Sequence, residues 1–163
     1  MELRQRARTG GRPIPDEAPL TTDEERPRRR APHLALRVLG ALAVLLVGAV
    51  HLEQYFAVYY RVVPLIGPLF LLNFIGATAL GVLLLAPVER IVPRRGGGLV
   101  TLLALGAIGL AVTSFVFLFV SESTTLFGFH EYGYRTAIVI VLAAEAATAV
   151  LLGAYLVARR RRA

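Results

Sequence analysis

The chain contains no cysteine. No disulfide, thiolate metal site or thiol redox relay can form without one. That excludes the quinone-linked disulfide-forming enzymes, which also use four-helix membrane bundles. Lysine is missing too, so all 18 basic residues are Arg. Together with abundant Ala, Gly, Val and Leu, this reads as the codon bias of a GC-rich genome. Histidine is scarce, with three in the chain. A bis-His haem needs paired His on facing helices, and beyond the first 33 residues only His51 and His130 remain. No G-x-S-x-G, Walker A or strand-flanked G-x-G-x-x-G element is present. No cofactor is expected.

Long apolar runs are what the chain has in quantity. The hydrophobic fraction is 56% and the mean hydropathy is +0.63. Four runs stand out, at Leu34–Tyr55, Leu65–Ala86, Leu99–Val120 and Thr136–Val157. A bilayer core of about 30 Å needs about 20 apolar residues at the helical rise. The expected fold class is therefore all-α, a polytopic four-helix membrane bundle. The expected division is a disordered cytoplasmic tail over residues 1–33, a transmembrane domain over 34–158 and a basic end over 159–163. The tail holds five of the nine Pro with dense mixed charge, a composition that forms no core. A signal peptide is the competing reading of the first run, but its polar leader would be unusually long. Arg28-Arg29-Arg30 does not continue as a twin-arginine signal.

The net charge of +7 is uneven. Arg gathers in the tail, in the loop Pro87–Gly98 (Arg90, Arg94, Arg95) and at Arg159–Arg162. The other two connections carry one Arg each, Arg61 and Arg135. The positive-inside rule then predicts a multi-pass plasma-membrane protein with both termini cytoplasmic. The partners expected are the lipid bilayer and a membrane protein or a second copy of the chain. Nucleic acid is not expected, because no basic helix with interleaved aromatics is present and attraction to anionic lipid accounts for the Arg.

Polar residues inside the spans need reasons. Glu145 lies ten residues beyond Arg135, about 15 Å deep. A carboxylate at mid-bilayer costs at least about 2.5 kcal/mol, so it should face the bundle and keep its proton. Thr78, Thr113 and Ser114 fall at similar depth and are its expected partners. Asn73 needs a partner across a helix interface. Ala77-x-x-x-Gly81 allows close helix packing. Arg37 is placed to reach the headgroups. At the outer end, His51, Tyr55 and Tyr59 share one face of the first helix, with Glu53 and Tyr60 on the other side. The second outer loop mixes aromatics with Glu122, His130, Glu131 and Arg135. It is expected to lie over the bundle mouth, with Arg135 neutralised by Glu131. His51, Glu53, Glu122, His130 and Glu131 are suitable metal-ligand types, but no tight ligand spacing supports a metal. Gly96-Gly97-Gly98 reads as a linker.

The segments Val62–Asn73 and Gly128–Arg135, with His51-Leu52-x-x-Tyr55, resemble a family of small four-span membrane proteins of GC-rich bacteria. The resemblance covers residues 34–158. It implies the four-span fold and brings no activity and no site residues with it. Three functions remain open. The first is a non-enzymatic accessory or binding subunit of an envelope complex. The second is a small proton- or cation-coupled transporter using Glu145. The third is a membrane enzyme using His51, Glu53 and His130 at the outer rim.

Overall fold

Among the described residues, four helices are long and apolar enough to cross a membrane, Pro32–Ala57, Ile66–Leu85, Gly96–Ser123 and Thr136–Arg160. The computed structural model describes residues 25–58, 60–124 and 135–161, with side chains from Pro32 onward. In chain order the elements are α1 (Glu25–Ala57), a 3-10 turn (Tyr60–Val62), α2 (Ile66–Leu85), α3 (Val88–Ile91), α4 (Gly96–Ser123) and α5 (Thr136–Arg160). No strand occurs among the described residues. The long helices stand in a ring in the order α1, α2, α4, α5, with α1 closing back onto α5.

The radial distribution of side-chain size is the reverse of a water-soluble bundle. Small residues hold many of the buried positions, as at Ala41, Ala77, Ala104, Ala107, Ala111 and Ala144. Large apolar residues point outward, as at Leu72, Leu102, Leu105 and Val150. In water that surface would drive aggregation. In lipid it costs nothing, and close approach through small residues supplies the packing. The α1–α2 seam illustrates it: Ala77 is fully buried, and a Cβ built at Gly48 would lie 3.0 Å from the Ala77 methyl. One turn on, Gly81 abuts Leu45 and the Ala41 carbonyl. The Ala77/Gly81 pair packs as its spacing predicts.

Two boundaries differ from the sequence expectation. Helix α1 begins at Glu25 rather than after Pro32, which sits inside it. A proline removes one backbone hydrogen bond but does not stop Glu- and Arg-rich chain from winding ahead of it. The remainder of the expected tail, residues 1–24, lies outside the described residues. The three glycines 96–98 are the first turn of α4 and not a linker. Gly96 is selected there by contact, since a Cβ would fall 2.7 Å from the Glu89 Cα of α3.

The bundle end that carries the start of α1 and the close of α5 is tied by Arg37. It does not reach outward to headgroups as expected; it is buried. Its guanidinium donates to the Leu84 carbonyl at 2.6 Å, the Ala86 carbonyl at 2.6 Å and Glu89 Oε2 at 2.9 Å. The last carbonyls of a helix have no intrahelical donor and carry the negative end of its dipole. An Arg five residues after Pro32 on the neighbouring helix satisfies both needs. Arg159 then donates to Glu89 Oε1 at 3.2 Å and to the Tyr155 hydroxyl at 2.9 Å. This half of the bundle is densely filled, from Ala41 and Val44 through Leu84, Val100 and Ala104 to Leu152 and Tyr155.

Candidate functional site

At the opposite end the packing gives way to a cavity of about 400 Å³ between all four long helices. Its walls are mainly apolar, with polar side chains at His51, Gln54, Asn73, Thr113, Ser114, Ser121, Arg135 and Glu145. The helical rise sets their depths. Gln54 lies about one turn below the end of α1, Asn73 about two turns into α2, and Glu145 about 13 Å into α5.

Glu145 is 2% exposed, as expected of a mid-span acid. Ser114 of α4 lines the same cavity wall. Ser114 also reaches His51 Nε2 on α1 at 3.2 Å. The donor accounting of this chain is determinate. His51 Nδ1 lies 2.8 Å from the Val47 carbonyl, which only accepts, so the hydrogen of a neutral imidazole sits on Nδ1 and Nε2 accepts. Ser114 then spends its one hydrogen on Nε2, and its oxygen is left to accept. A directed chain from Ser114 through His51 to the Val47 carbonyl results, joining α4 to α1.

Three polar atoms of the wall have no donor. Gln54 Oε1, Asn73 Oδ1 and Glu145 Oε2 are buried without a hydrogen-bond partner. Such atoms cost about 1–3 kcal/mol each when left unpaired in a dry interior. Gln54 spends its amide on the Glu53 carboxylate, which leaves its oxygen to the cavity.

An aromatic group closes the upper wall. The Phe70 ring lies 5.0 Å from the His51 ring and 4.8 Å from the Tyr60 ring. Tyr60 is buried, because α1 ends at Ala57 and the 3-10 turn folds Tyr60 back over the bundle. A continuous α1 would have put Tyr60 opposite His51, as the sequence reading assumed. Arg135 donates to the Tyr60 hydroxyl at 2.6 Å.

The expected site residues therefore separate. Glu145, Ser114, Thr113, Asn73, His51 and Arg135 line one cavity. Thr78 does not join them. It lies against Gly48 of α1, because α2 and α5 stand diagonally in the ring and α2 turns this face to α1. Glu53 points out of the bundle. Tyr55 is half-buried and stacks edge-on with Phe56 at 5.0 Å. Glu122 keeps one buried oxygen without a partner but stands outside the cavity lining. His130 and Glu131, and with them the loop placed over the mouth, lie outside the described residues. Among the described residues, no three His, Asp or Glu come together as a metal site.

Sequence reasoning missed Gln54, Tyr60 and Thr148. Gln54 lies at i+3 from His51, the alternative to the i+4 stripe chosen for Tyr55. Thr148, fully buried one turn from Glu145, returns its hydroxyl to the Ala144 carbonyl at 2.8 Å. No protein-family model, curated protein or solved structure matches this chain.

Proposed function

We infer that this is a multi-pass cell-membrane protein that binds a small molecule in the cavity beside Glu145, as a non-enzymatic binding subunit of an envelope complex. The observation that carries the reading is the trio of unsatisfied oxygens, Gln54 Oε1, Asn73 Oδ1 and Glu145 Oε2, on the wall of a mainly apolar cavity. Ligand sites have this make-up, an apolar lining with few convergent polar groups. The Arg distribution orients the protein with both termini and the α2–α4 connection cytoplasmic. The cavity then occupies the outer half of the bilayer.

Filling the cavity tests this. Nothing lies within 4 Å of a Cβ at Gly109 or at Gly153, and only Gly109 lines the cavity. The purified protein in lipid nanodiscs is titrated with twelve-carbon amphiphiles of differing head group. Saturable binding that survives Gly153→Leu and is lost in Gly109→Leu is the expected result. No saturable binding by any of them, or equal binding in both variants, overturns the reading.

Proton-coupled transport is the second reading, favoured by the buried Glu145 carboxyl on the same cavity wall as Ser114 and His51. It predicts that Glu145→Gln abolishes proton-linked flux in proteoliposomes while the protein still folds. A binding subunit gives no such flux at the outset.

A further inference from the structure

The cavity is closed on two sides and open on one. On α1 and α5 its lining includes the buried His51, Gln54, Ile138, Val141 and Glu145, with Val50 and Ala137 half-buried. Its lining residues on α2 and α4 behave differently. Leu72 is 62% exposed and Phe117 41%, and Thr113 and Gly109 are exposed as well. The α2–α4 seam is therefore the opening. The place where it closes is visible in the glycines. A Cβ at Gly76 would meet the Leu110 side chain at 2.9 Å, and one at Gly106 would meet Leu80 at 3.3 Å. Beyond Leu110, toward the end with Arg135, residues of both helices line the cavity, among them Asn73, Thr113 and Phe117.

All four helices span a membrane by length and composition, so a gap in the flank of the bundle faces acyl chains and not water. A molecule that enters there must already be dissolved in the bilayer. Its body is apolar, to match the lining. Its head meets a carboxyl and an amide oxygen at similar depth, Glu145 Oε2 and Asn73 Oδ1, neither of which has a donor. The head must donate hydrogen bonds and balance a carboxylate. A primary ammonium does both with three N–H groups and one positive charge.

We propose that the site takes a cationic amphiphile, a primary alkylammonium that enters from the lipid between α2 and α4 and sets its head on Glu145 and Asn73. The inference rests on the binding reading above and adds the ligand class and the route. Binding exchanges one cation for another: the ammonium keeps its protons, the Glu145 carboxyl gives up its own to the medium, and the ion pair forms in its place. The other titratable groups that line the cavity are His51 from α1, Tyr60 from the turn and Arg135 at the head of α5. Arg135 is about 15 Å along the helix from Glu145 and donates to Tyr60 at 2.6 Å, so it governs the mouth and not the floor.

The test uses the full chain in nanodiscs with dodecylammonium, dodecanol, dodecanoate and dodecyltrimethylammonium. Dodecylammonium is expected to bind at least tenfold more tightly than the other three and to release about one proton per site in weakly buffered medium. Glu145→Gln is expected to remove both the preference and the proton release, and Asn73→Leu to weaken ammonium binding with proton release intact. The chain has no tryptophan, so Phe117→Trp provides a single reporter at the seam. Lipids brominated on the acyl chains are expected to quench it, and bound dodecylammonium to reduce that quenching. Equal or tighter binding of the alcohol, the carboxylate or the quaternary amine overturns the head-group assignment while leaving the cavity reading in place. A reporter untouched by brominated lipid overturns the lateral route. Saturable binding by none of the four defeats the binding reading itself.

Discussion

Arg37 shows how one side chain joins sequence to assembly. Its three hydrogen bonds fix the end of α2, hold α3 through Glu89 and meet Arg159 of α5 across the same carboxylate. Arg37→Met keeps the length and removes every donor, so the Leu84 and Ala86 carbonyls are left without a partner from α1. A loss of about 2–3 kcal/mol is expected, the scale of a charged hydrogen bond removed from a buried acceptor. Arg37→Lys recovers only part of it, because an ammonium does not reproduce the planar fork. Thermal unfolding in detergent reads the order wild type, Lys, Met; equal midpoints for Lys and wild type contradict it. Leu65 offers the opposite case. It enters α2 with φ at 65° and ψ at −45°, a sparsely populated region that costs a side-chain-bearing residue about 1–3 kcal/mol. Leu65→Gly is expected to stabilise the protein in the same assay, and a lowered midpoint contradicts the strain. Neither residue's role was legible in the sequence. Arg37 read as an interfacial anchor because its acceptors lie 47 and 49 positions away, and only the fold brings them together.

At the scale of elements the sequence was easier to read. The four spans follow from run length and composition, because a bilayer leaves a backbone few ways to satisfy its hydrogen bonds. The glycine run 96–98 was misread because a helix start and a linker share the same composition. Contacts separate its members. Gly96 has the Glu89 Cα at 2.7 Å and the Val88 carbonyl at 2.9 Å from a built Cβ, while Gly98 has nothing within 4 Å. Gly96→Ala must push α3 away from α4 and loosen the Arg37–Glu89–Arg159 group, whereas Gly98→Ala gains helix propensity of up to about 1 kcal/mol. Opposite shifts in unfolding midpoint are expected for the two, and shifts of the same sign contradict the assigned packing. A similar contrast applies at the head of α2, where a Cβ at Gly67 would lie 2.8 Å from the Tyr60 carbonyl. Gly67→Ala should displace the turn that folds Tyr60 over the cavity, which reduces ligand binding before it reduces stability.

For the whole molecule, depth along the helices was legible and azimuth was not. Counting residues placed Glu145 level with Ser114, and both line the cavity. The same counting joined Thr78, which lies on the far side of α2 because the ring order of the helices is a tertiary property. Orientation across the membrane is a further whole-molecule property, and the proposed one rests on charge. Arg37, Arg90, Arg94, Arg95 and Arg159 gather at one end of the bundle, and Arg61 and Arg135 stand at the other. The absence of cysteine makes single labels unambiguous. Ser123 is exposed at the cavity end. Gly98 suits the opposite end better than Gly97, where a Cβ would strike the Arg159 guanidinium. In intact cells, Ser123→Cys is expected to react with a membrane-impermeant maleimide and Gly98→Cys to react only after permeabilisation. The reverse pattern would place the cavity in the cytoplasmic leaflet, and with it the reservoir from which an amphiphile enters between α2 and α4.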